Sequence, residues 1–179
     1  ARRYPDARIG RQVRFGRGRA AFAESEAAYI ELGERALMAS GMGELGQNEL
    51  DRLGAGRKLG LDFAIGDGVF TFTGDTRAED LADQLYLFAA KLAMPRWDVA
   101  PVERVKASMV LGYDALDGDP MSLLNRDLEA QLHGLDPRFV TPDPAAIRAT
   151  TASGFRQVWS RLLEQGPVEV SVFGDIDPE

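Results

Sequence analysis

Leu59-Gly-Leu-Asp-Phe-Ala-Ile-Gly-Asp-Gly-Val-Phe-Thr-Phe-Thr73 decides the fold class. Leu61, Phe63 and Ile65 alternate along its first half, and Phe70 and Phe72 share one face of its second. Alternation at a period of two marks a half-buried strand. Gly66-Asp67-Gly68 between the halves supplies the permissive backbone of a hairpin turn. The expectation is a pair of antiparallel strands at Leu59–Ile65 and Val69–Thr73.

Downstream, Thr76-Arg-Ala-Glu79 has the form of a capping box, in which each end satisfies the other's backbone N–H. It opens a helix expected at Arg77–Ala93, with Leu81, Leu85, Phe88 and Leu92 on one face and Pro95 beyond its end. Further helices are expected at Val99–Leu116 and Pro120–His133, with a short helical turn from Asp143-Pro144. Thr151 caps another at Ala152–Leu163, whose Phe155, Val158, Trp159 and Leu162 share a face. Gly166 stops it, and Val168–Phe173 reads as the last strand, with Val168, Val170 and Val172 facing one way. Upstream, Arg8–Phe15 alternates around Ile9, Val13 and Phe15. Ser25–Ser40 reads as a helix ending at Gly41, and Asn48–Leu53 as a short one. Hairpin pairing with segregated helices makes an α+β chain, a two-layer sandwich of a largely antiparallel sheet and helices. Residues 1–179 read as one domain without a linker.

Composition narrows the function. The 179 residues are 45% hydrophobic and 27% charged, with a net charge of −7. That balance disfavours nucleic acid, whose phosphates need a basic surface. Arg2, Arg3, Arg8, Arg11, Arg14, Arg17 and Arg19 crowd the first twenty positions; a solvated strand face, or a surface meeting an acidic neighbouring domain, accounts for them. There is no cysteine, which removes disulfides and thiolate metal sites. No apolar run is long enough to span a membrane and no signal peptide is visible. Both ends read as cuts within a longer polypeptide, so any targeting segment is expected outside this stretch, and the compartment stays open between periplasm and cytoplasm.

Motifs with chemical meaning are few. Gly41-Met-Gly43-Glu-Leu-Gly46 matches a dinucleotide pattern, but it follows a helix where that chemistry needs a strand. It reads as a helix stop and loop. His133, the single histidine, lies one helical turn after Glu129, with Asp127 or Asp136 as further carboxylates. A zinc site needs about three protein ligands, so a surface histidine is the plainer reading. The pairs Glu24 with Glu26 and Asp117 with Asp119 fall at helix starts and turns, where acidic side chains suit the helix dipole. The serines show no nucleophile elbow. The aromatic residues Phe70, Phe72, Phe88, Trp97, Tyr113, Phe155, Trp159 and Phe173 sit mostly at core positions, with Trp97 the candidate for exposure.

Three stretches together resemble the insulinase/pitrilysin family of zinc metallopeptidases. Ala27–Gly43, with Ala36-Leu-Met-Ala-Ser-Gly41, is similar to the helix that carries the zinc ligands in active members. Phe70–Pro95 is similar to the family's strand, turn and long helix closed by proline. Leu132-His-Gly, Asp136-Pro-Arg-Phe139 and Thr141-Pro resemble a family loop, and Phe173-Gly-Asp-Ile-Asp-Pro178 its last strand. The resemblance implies a processing-peptidase-like domain. Active members hold zinc on a His-x-x-Glu-His helix, and aligning on Gly41 puts that motif at Leu32-Gly33-Glu34-Arg35-Ala36. Neither histidine is there, and Glu34 misses the general-base position. The resemblance therefore carries over no catalytic and no metal residue and leaves the substrate-binding residues unknown. It implies a zinc-less domain from the C-terminal half of a longer peptidase, with zinc in another domain of that protein and the substrate-binding Arg/Tyr pair in a further one. The expected role is non-catalytic: forming a chamber wall around a peptide, with the other domains of the polypeptide as partners and no activity alone. The alternative is a stand-alone, non-peptidase binding or assembly subunit on the same scaffold. An excised domain is also expected to self-associate through its unpaired strands.

Overall fold

The computed structural model describes residues 9–116 and 118–174. Arg2, Arg3, Arg8, Asp117 and the segment 175–179 lie outside the described residues. The elements run β1 (Ile9–Phe15), α1 (Ala28–Ala39), α2 (Gln47–Leu53), β2 (Asp62–Ile65), β3 (Phe70–Thr76), α3 (Leu81–Ala93), α4 (Val99–Leu116), α5 (Pro120–Leu132), α6 (Pro144–Ala149), α7 (Ala152–Leu163) and β4 (Glu169–Gly174). Four strands form one antiparallel sheet in the order β2-β3-β1-β4. The expected α+β, two-layer architecture is the one observed.

One face of the sheet is apolar because β1, β2 and β3 alternate in register. Phe15 pairs with Phe70 and Val13 with Phe72, while Phe63 pairs with Phe72 and Ile65 with Phe70. All are buried, and the helices close over them. The other face carries the exposed Arg14, Asp62, Ala64, Asp75 and Glu169. The Trp159 indole from α7 sits at the centre, with ring centroids 5.3 Å from Phe22, 5.8 Å from Phe63 and 5.6 Å from Phe70. Its Nε1 donates to the Tyr29 carbonyl at 3.0 Å, which satisfies the ring's polar atom inside the core.

Several expectations change in tertiary context. The hairpin is offset: β2 starts at Asp62 and β3 runs on to Thr76, leaving a four-residue turn closed by the Gly66 N–H on the Val69 carbonyl at 3.0 Å. Gly60 stays out of the ladder, its carbonyl taken by the Gln84 side chain. The capping box at Thr76 does not form. Thr76 pairs with Ile9 as the last residue of β3, and its Oγ1 donates to the Lys58 carbonyl at 2.5 Å. A turn of 3₁₀ helix at Ala78–Asp80 precedes α3. Asp80 organises that turn, accepting from the Lys58 N–H at 3.0 Å and the Arg77 Nε at 2.8 Å. Trp97 is not the exposed aromatic; it packs edge-on against Phe155 at 5.9 Å. Phe173 is exposed at 56%, and Tyr86, outside the expected core set, at 67%. The valines of β4 do face the helical side, Val170 opposite Val13 and Val172 opposite Arg11. Val170 nevertheless stays about half exposed, because β4 is an edge strand, and Val168, expected to open the strand, precedes it and is equally exposed.

The cap at Thr151 forms as expected, and Asp143, where a short helical turn is expected, caps α6. Asp143 accepts from the Ala146 N–H at 2.7 Å and Thr151 from the Gly154 N–H at 3.0 Å. The arginine-rich first strand is not one solvated patch. Arg11 is buried, Arg14 lies 3.8 Å from Glu169, and Arg19 joins the Arg138 carbonyl at 2.6 Å to Glu31 at 3.1 Å.

Candidate functional site

Helix α1 is where the sequence places a zinc motif, so its faces decide what it can hold. Leu32 and Ala36 are fully buried in the core, and neither offers a donor atom. Gly33 lies against the Trp159 indole, and Arg35 is exposed. Glu34 is the one carboxyl of the five positions. Burial raises its pKa, the neighbouring Glu31 raises it further, and Arg19, Arg35 and a hydrogen bond from the Ile65 backbone oppose the rise. A single half-buried carboxyl cannot hold zinc, which takes three or four N, O or S ligands. This helix does not fit the metal.

The other polar candidates separate. His133 follows the last residue of α5 and stacks on Phe139, with ring centroids 3.6 Å apart and nearly parallel. The structure brings Asp67, from the β2–β3 turn, to Glu129 and His133, their ligand atoms within 4.8 Å of one another. All three are exposed, and exposed acidic groups cluster this way without a metal. Asp127 and Asp136 do not join them: Arg126 takes Asp127 at 2.6 Å, and Arg138 takes Asp136 at 2.5 Å. Hydrogen bonds from the Arg138 side chain and backbone hold Asp136 down to about 2. Glu26 caps a turn at the Ala23 N–H and pairs with Arg161 at 2.8 Å. Asp119 caps α5 through the Ser122 N–H at 2.9 Å. Among the described residues, no serine hydroxyl is hydrogen-bonded to His133. Gly41-Met-Gly43-Glu-Leu-Gly46 closes a tight turn in which Met42 and Leu45 exchange backbone hydrogen bonds at 3.0 Å. No strand leads into it, so no phosphate cradle forms.

One concavity has no counterpart among the sequence motifs. A groove of about 840 Å³ lies between α2, the end of α1 and α3. Its signals were an apolar pair on α2, Leu50 and Leu53, and a lysine inside the apolar run Leu85–Leu92. Lys91 is 3% exposed, and its Nζ donates to the Ser40 carbonyl at 2.5 Å, tying the end of α1 to α3. Burial lowers its pKa to about 8 from the usual 10.5. The unfolded chain therefore holds this proton up to a higher pH than the folded one. Between pH 8 and 10.5 the unfolded state binds more protons, so this residue makes stability rise with pH, by a few kcal/mol at roughly 1.4 kcal/mol per pH unit. Lys91→Met is expected to flatten that rise. Urea midpoints measured from pH 7 to 10 check it; an unchanged slope in the variant refutes it.

Comparison with models of known protein families yields no match, and neither does comparison with curated protein sequences. Solved structures do match. The periplasmic protease PqqL from Escherichia coli superposes with a TM-score of 0.77 at 14% identity, over 97% of this chain and 19% of that one. A protease from Helicobacter pylori gives 0.78 at 13% identity, over 97% and 42%. A peptidase M16 inactive domain from Pseudomonas fluorescens gives 0.70 at 17% identity, over 98% and 43%. The chain spans less than half the length of each of these structures. At such identities the likeness establishes the fold, and the insulinase family fits at that level.

Proposed function

We propose that this chain is a non-catalytic, chamber-forming domain of a zinc-dependent metalloendopeptidase that degrades or processes peptides. Zinc sits in another domain of the same polypeptide, and the peptide and the other domains are this chain's partners. The observation that carries the reading is α1. The chain has a fold found in proteases, yet the two positions aligned with zinc-binding histidines are the buried apolar side chains Leu32 and Ala36. The role left to the scaffold is to enclose substrate.

The test is metal and activity on the isolated chain, then on its parent. After equilibration with zinc and gel filtration, the isolated chain is expected to retain far less than one zinc and to cleave no unfolded peptide. Stoichiometric zinc abolished by Glu34→Ala overturns the proposal. So does a parent reading frame with no His-x-x-Glu-His segment, which favours a stand-alone binding or assembly subunit.

A further inference from the structure

Helix α2 has no buried residue, an unusual state for a helix inside a domain, since short helices owe their stability to packing. Its Leu50 and Leu53 line the groove rather than meet another helix. Met38, Met42, Leu61, Leu87 and Met94 add to the apolar lining. Leu53 is 61% exposed, Tyr86 67% and Met94 47%, a concentration of large apolar side chains that marks an interaction site on a protein surface. The volume of about 840 Å³ falls in the range of ligand sites. Methionines adapt their shape to varied partners.

The charges on the groove select the occupant. Asp83 is paired with Arg57 at 2.5 Å, and Lys91 is buried on the Ser40 carbonyl. Glu44 and Asp51 are exposed, and among the described residues neither carboxylate forms an ion pair; Asp51 accepts from the Gln47 side chain at 2.9 Å, while the Arg96 guanidinium reaches only the Glu44 backbone carbonyl, at 2.7 Å. The free charges of the lining are thus negative. They disfavour an anionic amphiphile, and a second copy of a chain of net charge −7 brings more of the same sign. No strand residue lines the groove, so a partner cannot add to a sheet edge there and must anchor by side chains.

We infer that the groove between α2 and α3 docks a short amphipathic helix of another polypeptide segment, apolar on the face it inserts and flanked by lysine or arginine. This is the helix-in-groove mode, with anchors at i, i+3 or i+4, and i+7. It does not depend on the peptidase proposal, because the groove is built by this chain alone.

The probe is a fluorescent peptide of about fourteen residues, roughly four helical turns, with leucines at that spacing and lysines at its flanks. Two controls accompany it: a scrambled peptide of the same composition, and one with glutamate in place of lysine. Fluorescence anisotropy with the full chain is expected to show saturable binding of the first, weakened by salt, and about tenfold weaker binding of both controls. Leu53→Ser and Tyr86→Ser, both at exposed positions, are expected to weaken binding about tenfold each while leaving the denaturation midpoint unchanged. Three outcomes overturn the inference: equal binding of the three peptides, no binding at millimolar peptide, or binding indifferent to both substitutions. Concentration-dependent self-association of the chain that Leu53→Ser abolishes also overturns it, by giving the groove to a second copy.

Discussion

Gly33→Ala is expected to destabilise the chain by about 1–3 kcal/mol, although alanine is the better helix former by about 1 kcal/mol. A Cβ at position 33 would lie 2.0 Å from Cζ2 and 2.1 Å from Cε2 of Trp159. Those are ring atoms of a rigid indole, not the end of a flexible chain. The ring has nowhere to go: Phe22, Phe63 and Phe70 surround it, and its Nε1 is held by the Tyr29 carbonyl. Relief requires α1 and α7 to separate, which opens voids along a close-packed interface, or the indole to turn, which strands its N–H. Overpacking typically costs about 1–3 kcal/mol, and the lost hydrogen bond adds about 1 kcal/mol or more. Urea denaturation measures the effect, and a Gly33→Ala chain as stable as the parent refutes it. Combining Gly33→Ala with Trp159→Phe frees space where the new methyl sits. The pair should therefore cost less than the sum of its parts, the signature of direct contact.

Arg11→Met is expected to act the other way and stabilise the fold, by about 1–4 kcal/mol. Arg11 is 1% exposed, and none of its guanidinium nitrogens has a hydrogen-bond partner. Its position follows from the pleat. As an odd-numbered residue of β1 it shares the helical face with Ile9, Val13 and Phe15, opposite Gly74 and Val172. Its compensation is the Phe88 ring, 5.7 Å from Cζ to the centroid, and a cation over an aromatic face gives back only about 2 kcal/mol when desolvated. Burial accordingly lowers its pKa, with Asp75 opposing. Methionine matches the aliphatic stem and keeps a favourable sulfur contact with the ring, while removing an unpaired buried charge. A loss of more than about 1 kcal/mol on Arg11→Met refutes this account. Arg11→Ala serves as the contrast, because it removes the stem as well as the charge and leaves a cavity beside Phe88.

Much of the fold was legible because it depends on neighbours in sequence. The hairpin around Gly66, the apolar face of α7, the helical turn from Asp143 and the cap at Thr151 all come from local periodicity and local hydrogen bonds. Thr76 departs from its expected role because a local rule competed there with a distant pairing. Thr-x-x-Glu reads as a cap, but pairing with Ile9 extends the strand over it, and that pairing joins residues far apart in the chain. Trp97 was misplaced for the same reason, since Phe155, the ring that covers it, lies in α7.

For the candidate site the division is sharper. The sequence alone established that the helix Ala28–Ala39 has no histidine and that one histidine serves the whole chain, because ligand chemistry is a property of residue type. That limits the imidazole ligands the chain can offer a metal to one, and leaves none on this helix. Only the tertiary structure decided that Leu32 and Ala36 are core residues, that Asp67 meets Glu129 and His133, that Arg11 lies buried without a hydrogen bond, and that α2 leaves its leucines facing a groove. Each of these outcomes depends on which distant elements close over a given face, and a periodicity names the face without naming what covers it.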